Sequence, residues 1–210
     1  MRHHQHAPNR LARTSARLRG ILLVSGVVLA GCANHPEYYR GDLTGVESAS
    51  RVALLPLVNM SHDERAPDLV QNALVVEFLA AGRFVVVDPG VVEQTVLENR
   101  LRLTDRLPLE TLQKLGAALG VDYLIVGSVN EFAMVQDGIE IVPTVSVTVR
   151  MVSCATGAIM WAATHSRRGD DDESVFQIGR IDTLEELSAV TAREIADTFG
   201  PQPGKQAGQP

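Results

Sequence analysis

The first half of the chain alternates apolar runs of strand length with segments whose apolar residues recur at helical spacing. Residues 51–58 (RVALLPLV) form a nearly continuous apolar run, typical of a strand covered on both faces, although Pro56 indicates an edge or a bulge. Residues 67–81 lie between a proline and a glycine and place apolar residues every three or four positions, which predicts a helix. Residues 83–88 predict a second buried strand, which a Pro-Gly pair ends.

Two further helices are predicted before the middle of the chain. Residues 91–101 show a weak helical pattern. In the segment that begins at Pro108, leucines recur every three or four positions and Gly120 ends the run, so this helix is the clearer of the two.

The second half is dominated by strand patterns. Residues 121–132 predict a long strand, and the Asp-Gly pair that follows is a hairpin signal. Residues 144–152 alternate between valine or methionine and hydroxyl or charged side chains, so one face is expected to be buried and the other wet. Residues 158–166 predict the last strand, and a capping box at 183–186 predicts a final helix that reaches about Phe199.

Together these elements predict the order β-α-β-α-α-β-β-β-α. Two crossover units followed by an antiparallel meander are expected to build one mixed five-stranded sheet with helices packed on it, which is an α+β fold of the α/β-sandwich kind. This domain is expected to span residues 51–199. Residues 200–210 are mainly Pro, Gly and Gln and are predicted to be disordered.

The N-terminal stretch, residues 1–31, is typical of a secretory signal peptide. Five arginines and no acidic residue precede an apolar run of about a dozen residues, shorter than the ~20 that a membrane-spanning helix needs. The run ends in Leu-Ala-Gly-Cys, which resembles the lipobox of bacterial lipoproteins. We therefore expect cleavage between Gly31 and Cys32 and a lipid on Cys32; an ordinary signal peptide or an uncleaved anchor is the alternative.

A lipid on Cys32 would hold the protein on a membrane with its domain in water. Each buried CH₂ of the acyl chains contributes ~0.8 kcal/mol, so this anchoring would be stable. In the usual sorting pattern of lipoproteins, Ala33 rather than aspartate after the cysteine indicates the outer membrane, with the domain facing the periplasm. Because residues 33–50 show no periodicity, we expect residues 32–50 to form a flexible tether.

The charge of the chain narrows its range of partners. Without residues 1–31, the 19 basic residues fall by five to 14 against 25 acidic ones, so the formal charge of −6 becomes −11. Nucleic-acid binding needs a basic patch or stripe, and the acidic balance argues against it. The same charge opposes flat binding to anionic lipid.

Signatures of catalysis are missing from the sequence. It contains no nucleophile elbow, no dinucleotide-binding or phosphate-binding glycine loop and no zinc-protease motif, so we expect neither an enzyme nor a cofactor or metal site. His62 and His165 lack partners at ligand spacing and are interpreted as solvated or structural. With Cys32 lipidated, Cys154 has no intramolecular partner and is interpreted as a small filler in a turn, with a reactive thiol as the alternative.

Four consecutive carboxylates, Asp170, Asp171, Asp172 and Glu173, form the most distinctive polar stretch. They lack the alternating spacing of a calcium loop, so we interpret them as an acidic surface loop. Clustered charge steers partners, which makes this loop a candidate interaction surface. Trp161 is a second candidate for such a surface, for example by stacking on a sugar, although a packed core or interface aromatic is the plainer interpretation.

Three stretches resemble one family of periplasmic lipoproteins: residues 52–59 (VALLPLVN), 115–130 (LGAALGVDYLIVGSVN) and 149–162 (VRMVSCATGAIMWA). They are similar to segments of the CsgG-type lipoproteins, which include the curli secretion channel. More distant members of this group are the LpoB-type activators of peptidoglycan synthases, the PelC-type exopolysaccharide export ring and the N-terminal domain of TolB. The likeness covers roughly residues 51–165 and lies mostly in core and turn residues, so it implies a fold more than a function.

The resemblance implies a non-enzymatic accessory of the cell envelope. Two roles stay open: an adaptor that docks on and regulates a periplasmic partner such as a cell-wall synthase, and a subunit of a homo-oligomeric ring that assists export of a polysaccharide or protein polymer. A hydrolase that uses His62 or the Asp170 cluster is a weaker third interpretation. Residues 133–143 leave too little chain for the membrane hairpins of the curli channel, so no membrane barrel of its own is expected.

Overall fold

The structure is a computed structural model that describes residues 34–43, 46, 50–101 and 106–200. The predicted signal peptide, Cys32 and the tail from residue 201 lie outside the described residues. The strands are β1 (Glu37–Arg40), β2 (Arg51–Leu54), β3 (Val58–Asn59), β4 (Val85–Val86), β5 (Tyr123–Asp137), β6 (Glu140–Ser153) and β7 (Ile159–Arg168). The α-helices are α1 (Ala66–Ala81), α2 (Pro89–Glu98), α3 (Leu109–Leu119) and α4 (Leu184–Asp197).

One mixed sheet contains all of these strands. Their order across it is β1-β7-β6-β5-β2-β4, and β3 pairs with β5. β2 runs parallel to β4 and β5, whereas β5, β6 and β7 form an antiparallel meander to which β1 adds an antiparallel edge. The predicted α+β class, with one mixed sheet and four helices, is confirmed.

The prediction of five strands is wrong, because the described residues form seven. Pro56 has no N–H to give to the ladder, and the run expected to be one strand is divided into β2 and β3 on either side of it. β1 lies in the segment interpreted as a tether. Its exposed residues, EYYR, have no apolar alternation to reveal a strand, yet they pair with β7 in the register Tyr39 opposite Ala162.

Two apolar clusters lie on the two faces of the sheet. On one face, α1 and α4 pack over the meander, and Phe78, Leu187 and Ile195 from these helices are fully buried against the valines of β6. On the other face, α2 and α3 cover mainly β2 and the first half of β5, with Val92 and Leu115 at the centre of the second cluster. The helices therefore cover one face of the meander and only part of the other.

The β5–β6 hairpin is the longest feature of the fold. Its strands have 15 and 14 residues, and pairing continues from Tyr123 opposite Ser153 to Asp137 opposite Glu140. We call the end of the sheet at the hairpin turn the tip end, and the end at residues 120–123 and 153–159 the opposite end. Within the described part of the chain, no helix is both long and apolar enough to cross a membrane.

Candidate interaction surfaces

The acidic loop after β7 is folded by ion pairs rather than left free in solvent. Asp170 accepts two hydrogen bonds of 3.0 Å from Arg168, and Arg168 also donates to Asp137 across the sheet at 2.7 Å. These hydrogen bonds hold the pKa of Asp170 below its usual value and raise that of the Arg168 guanidinium. Asp172 is exposed and the other three carboxylates are half-buried, so the loop lies at the surface with its charges paired; that it binds a partner stays a prediction.

A second arginine ties the end of this loop to the hairpin turn. Arg180 donates to Glu140 at 2.6 Å, to Asp182 at 2.9 Å and to Glu173 at 3.2 Å. These contacts, with that to Glu140 first, raise the pKa of the Arg180 guanidinium. A backbone hydrogen bond joins the two ends of the loop, because the N–H of Ile181 donates to the carbonyl of Gly169 at 2.8 Å.

A buried polar cluster lies beneath the loop. Arg167, only 2% exposed, donates to Asp172 at 2.5 Å and places its Nε 3.5 Å from Glu194 on α4 and 3.7 Å from Asp171. The same oxygen of Glu194 lies 2.5 Å from Nε2 of the buried His165. His165 therefore has a structural place in the sheet, as the sequence interpretation expected, and this cluster couples the acidic loop to α4.

Large apolar side chains are exposed around this charged framework. We call them the tip surface, which consists of Met134, Ile139, Ile141, Phe176 and Ile178. Their exposed fractions range from 46% for Met134 to 91% for Phe176 and 100% for Ile139. By the strand register, Met134 and Ile141 lie on the same sheet face as the buried Phe132 and Val145, but further along the hairpin.

The backbone that displays Phe176 is strained. Phe176 and Gln177 have φ of 67° and 61°, in the left-handed region that costs non-glycine residues ~1–2 kcal/mol each. The sequence analysis missed this surface. The available signal was the pair Phe176 and Ile178, two large apolar residues in an otherwise polar loop.

Trp161 is not part of any surface. It is fully buried, stacks on Phe199 with a centroid distance of 4.0 Å, and its indole N–H donates to Thr198 at 2.9 Å. Its selection as an interaction residue is therefore wrong, and the core interpretation is the one that the structure supports. The side chain sits on the helix-covered face of β7, where alternation places it.

On the other face of the meander, one part is not covered by any described helix. Ser128 donates to Asn130 at 2.8 Å, Asn130 donates to Thr148 at 2.9 Å, and Thr148 shares a hydrogen bond of 3.2 Å with Thr164. This row crosses β5, β6 and β7. We call it, with its small neighbours Ser146, Ala162 and Ser166, the open sheet face. Of the side chains that the alternation in 144–152 predicts to be wet, Ser146, Thr148 and Arg150 are half-buried and Thr144 is buried.

A cleft of 680 Å³ occupies the opposite end, where Cys154, Gly116 and Asp122 are among the lining residues. Cys154 is buried, and burial raises the pKa of its thiol to about 11, so the thiol is protonated at neutral pH. A methyl group on Gly116 would come within 2.6 Å of the Cys154 Cβ. The filler interpretation of Cys154 is the one that this geometry favours.

The remaining candidates for chemistry stay apart. His62 is exposed in the loop before α1, and its neighbour Asp63 is engaged by Arg65, whose hydrogen bonds lower the Asp63 pKa. Across the residues that the structure describes, no three His, Cys, Asp or Glu side chains come together in a way that could hold a metal ion. Gly31 and Cys32 lie outside that part of the chain, so cleavage and lipidation stay predictions.

Comparison with known families places the chain among lipoproteins. The sequence model described as "Putative lipoprotein GNA1162-like" matches residues 43–202. No curated protein matches the chain.

Similar solved structures share the fold at low identity. The PelC dodecamer from Paraburkholderia phytofirmans has 15% identity and a TM-score of 0.57, covering 81% of this chain and 99% of that chain. Lipoprotein GNA1162 from Neisseria meningitidis has 20% identity and a TM-score of 0.51, covering 70% and 99%. The LpoB C-terminal domain from Salmonella enterica has 17% identity, covering 60% and 87%, and its TM-score of 0.41 is too low to carry an argument. The first two likenesses show a shared fold, and the family model shows the lipoprotein family, while the CsgG and TolB labels stay expectations from the sequence.

Proposed function

The chain belongs to the family of putative GNA1162-like lipoproteins, and on this premise we propose that it is a non-enzymatic, lipid-anchored envelope protein that holds a periplasmic protein partner on its open sheet face. Cys32 carries the lipid in this proposal, the outer membrane is the site of anchoring, and the domain faces the periplasm. The protein then acts as an accessory or adaptor of an envelope-biogenesis machine, for example by regulating a cell-wall synthase.

The open sheet face is the observation that carries this proposal. In a chain with 21% charged residues, the row from Ser128 to Thr164 carries only uncharged polar side chains, and the charged residues nearest to it are Glu131, opposite Ser146, and Glu37, opposite Thr164. The cores of protein interfaces are likewise depleted of charge. The hydroxyl and amide groups of the row are already oriented by their mutual hydrogen bonds, so docking a partner there orders few additional side chains.

The edge of this face carries larger anchors. Tyr39 on β1 is 57% exposed and lies opposite Ala162, while Arg150 on β6 is half-buried and also pairs with Ala162. Tyrosine and arginine are enriched among the residues that dominate binding energy. An uncharged row bordered by these two side chains and by Glu37 and Glu131 suits a protein partner better than a small-molecule substrate.

Self-association is the alternative occupant of the same surface. PelC, which shares this fold, forms a dodecamer in its crystals. In this alternative the chain is a subunit of a homo-oligomeric ring that assists export of a polysaccharide or protein polymer, and the acidic charge of the domain borders the path of the polymer.

Site-specific photo-crosslinking in cells tests the proposal. A photoreactive residue replaces Thr164 in the full-length chain, and a matched one replaces Glu93, an exposed residue on α2. The adaptor predicts a defined adduct with another envelope protein from position 164 and none from position 93. Thr148→Arg, which places a long cation in the middle of the row, should abolish this adduct without changing the level of folded protein.

The size of the adduct separates the two roles. Adducts whose masses are multiples of this chain, together with a large discrete mass of the detergent-extracted protein by light scattering, would favour the ring and contradict the adaptor. Equal labelling from both positions, or an adduct that persists in Thr148→Arg, would contradict the assignment of the open sheet face.

A further inference from the structure

The described chain begins next to the acidic loop. The side-chain amide of Asn34 donates to the carbonyl oxygen of Ser166 at 2.8 Å and to a carboxylate oxygen of Asp171 at 2.9 Å. From there the chain runs along β1 towards the opposite end of the sheet, because β1 is antiparallel to β7. Asn34 therefore lies beside the acidic loop, at the level of Ser146, which is six residues or about 20 Å along β6 from Glu140 at the hairpin turn.

This position limits how far a lipid on Cys32 can lie from the acidic loop. Cys32 precedes Asn34 by two residues, and extended chain spans at most about 3.6 Å per residue, or about 7 Å in all. A long tether over residues 32–50 would allow the domain any orientation, but the pairing of β1 removes most of that length. This step rests on the proposed lipidation of Cys32.

We infer that the tip surface lies in the interface of the membrane that carries the lipid anchor. Phe176, Ile178 and Ile139 then contact the lipid head groups and the upper acyl chains, the environment in which exposed aromatic and aliphatic side chains of peripheral proteins are stabilised. The occupant of this apolar surface is thus a lipid bilayer, and the open sheet face stays available to a protein partner.

The charges of the tip end specify which bilayer surface fits. Residues 137–140 and 167–182 contain seven carboxylates and three arginines. This excess of negative charge is repelled by anionic head groups and tolerated by zwitterionic ones. The apolar contact is small and would be weak alone. A lipid on Cys32, two residues before Asn34, would however supply a high effective concentration of bilayer near the acidic loop.

Fluorescence quenching in vesicles tests the inference. Phe176→Trp is made in the full-length chain, and the lipidated product is reconstituted into phosphatidylcholine vesicles with brominated acyl chains, which quench tryptophan on contact. Trp161, the only native tryptophan, is fully buried and gives a constant background. The matched control is Leu97→Trp, at a 69% exposed position on α2, which packs with the second apolar cluster.

The inference predicts a blue shift and strong quenching of the indole introduced by Phe176→Trp and no quenching of the one introduced by Leu97→Trp. The quenching at position 176 should weaken when phosphatidylglycerol replaces part of the phosphatidylcholine. Equal quenching at both positions, or none at position 176, would overturn the inference. A blue shift at position 176 that depends on protein concentration and not on lipid would show that a second copy covers the surface, and would also overturn it.

The mass of the N-terminal peptide keeps this test separate from the proposed function. A peptide that begins at Cys32 and carries acyl mass, together with an unquenched indole at position 176, contradicts the membrane contact alone. If Cys32 carries no lipid, the lipid anchor of the proposed function is wrong. The inferred membrane contact, which depends on that anchor, is then wrong as well.

Discussion

The two ends of the meander differ in which residues occupy left-handed backbone positions. At the opposite end, the chain turns at Gly120 and Gly157, with φ of 63° and 73°, where glycine carries no steric penalty. The tip end also has glycines in this region, Gly138 and Gly179, but there Phe176 and Gln177 occupy it with full side chains as well. At the opposite end these positions are therefore unstrained. At the tip end the backbone at Phe176 and Gln177 is strained, and the exposed ring of Phe176 is held on it.

The two ends also differ in what their polar groups do. The tip end is held by arginine–carboxylate pairs around exposed apolar residues, and the opposite end places a protonated thiol against a glycine of α3. Strained backbone tends to persist where the surrounding structure fixes it and function uses it. The comparison therefore points to the tip end as the part of the fold shaped for contact with something outside the chain.

The largest effect is expected from removing the buried cation of the tip end. Arg167→Ala leaves Glu194, Asp171 and Asp172 without their shared partner beneath the loop. Breaking a buried ion pair from one side typically costs about 3–5 kcal/mol; because Asp172 is 61% exposed, we expect a loss of about 3 kcal/mol in the free energy of unfolding. Urea unfolding of the wild type and the variant measures this difference.

The matched control is a surface arginine on the same region of the fold. Arg193, on α4, is 62% exposed and pairs with Glu77 at 3.4 Å. Arg193→Ala should cost less than about 0.5 kcal/mol. If both variants lose the same free energy, the cluster under the acidic loop has no special part in holding the tip end.

Much of the fold was predictable because strong periodicity reflects burial on one side. The leucines of α3 and the alternation of β6 each place one face against a core, and both elements lie where expected. β1 was not predictable in this way. Its four residues are exposed and have no pattern of their own, so only the pairing with β7 makes them a strand.

The candidate surfaces were predictable only in part. The run of carboxylates from Asp170 to Glu173 indicated an exposed loop, but its pairing with Arg180 needs contacts across the fold that local sequence does not encode. Trp161 was misassigned because the sequence alone does not show whether an aromatic residue on a strand faces the core or the solvent. The positive φ of Phe176 is imposed by the closed loop around it, and no local signal marks a phenylalanine for that region.

The second prediction concerns the opposite end at alkaline pH. Burial raises the pKa of the Cys154 thiol from 9.0 to about 11. The unfolded chain therefore loses this proton first as the pH rises. The stability that the thiol contributes is present below pH 9 and is lost between pH 9 and 11, by about 2.7 kcal/mol for the two units at ~1.36 kcal/mol per pKa unit.

The Cys154→Ala variant isolates this thiol. Tyr123, whose pKa burial also raises, stays in both proteins, so the difference between their curves of unfolding free energy against pH reports on the cysteine. We expect the wild type to fall more steeply than the variant between pH 9 and about 11. Parallel curves would mean that the thiol is solvated in the folded protein, and would contradict the burial of Cys154.

The smallest prediction tests the strain of the tip end directly. Phe176→Gly relieves about 1–2 kcal/mol of left-handed strain and costs up to about 1 kcal/mol in unfolded-state entropy, so we expect the variant to be more stable by about 0.5 kcal/mol. Gly157→Ala should have the opposite sign, because its φ of 73° favours glycine and the added Cβ would lie 3.3 Å from Leu109. Urea unfolding measures both.

Phe176→Ala separates backbone strain from the loss of the ring. It keeps a Cβ at the strained position but removes a ring that is 91% exposed, so its stability should stay close to that of the wild type. A gain in stability with glycine and none with alanine would show that the left-handed backbone at position 176, and not the phenylalanine ring, lowers the stability of the wild type. Many changes that stabilise natural proteins cost function in this way. If glycine destabilises the protein as much as alanine does, the loop stores no strain, and the contrast between the two ends rests on their charges alone.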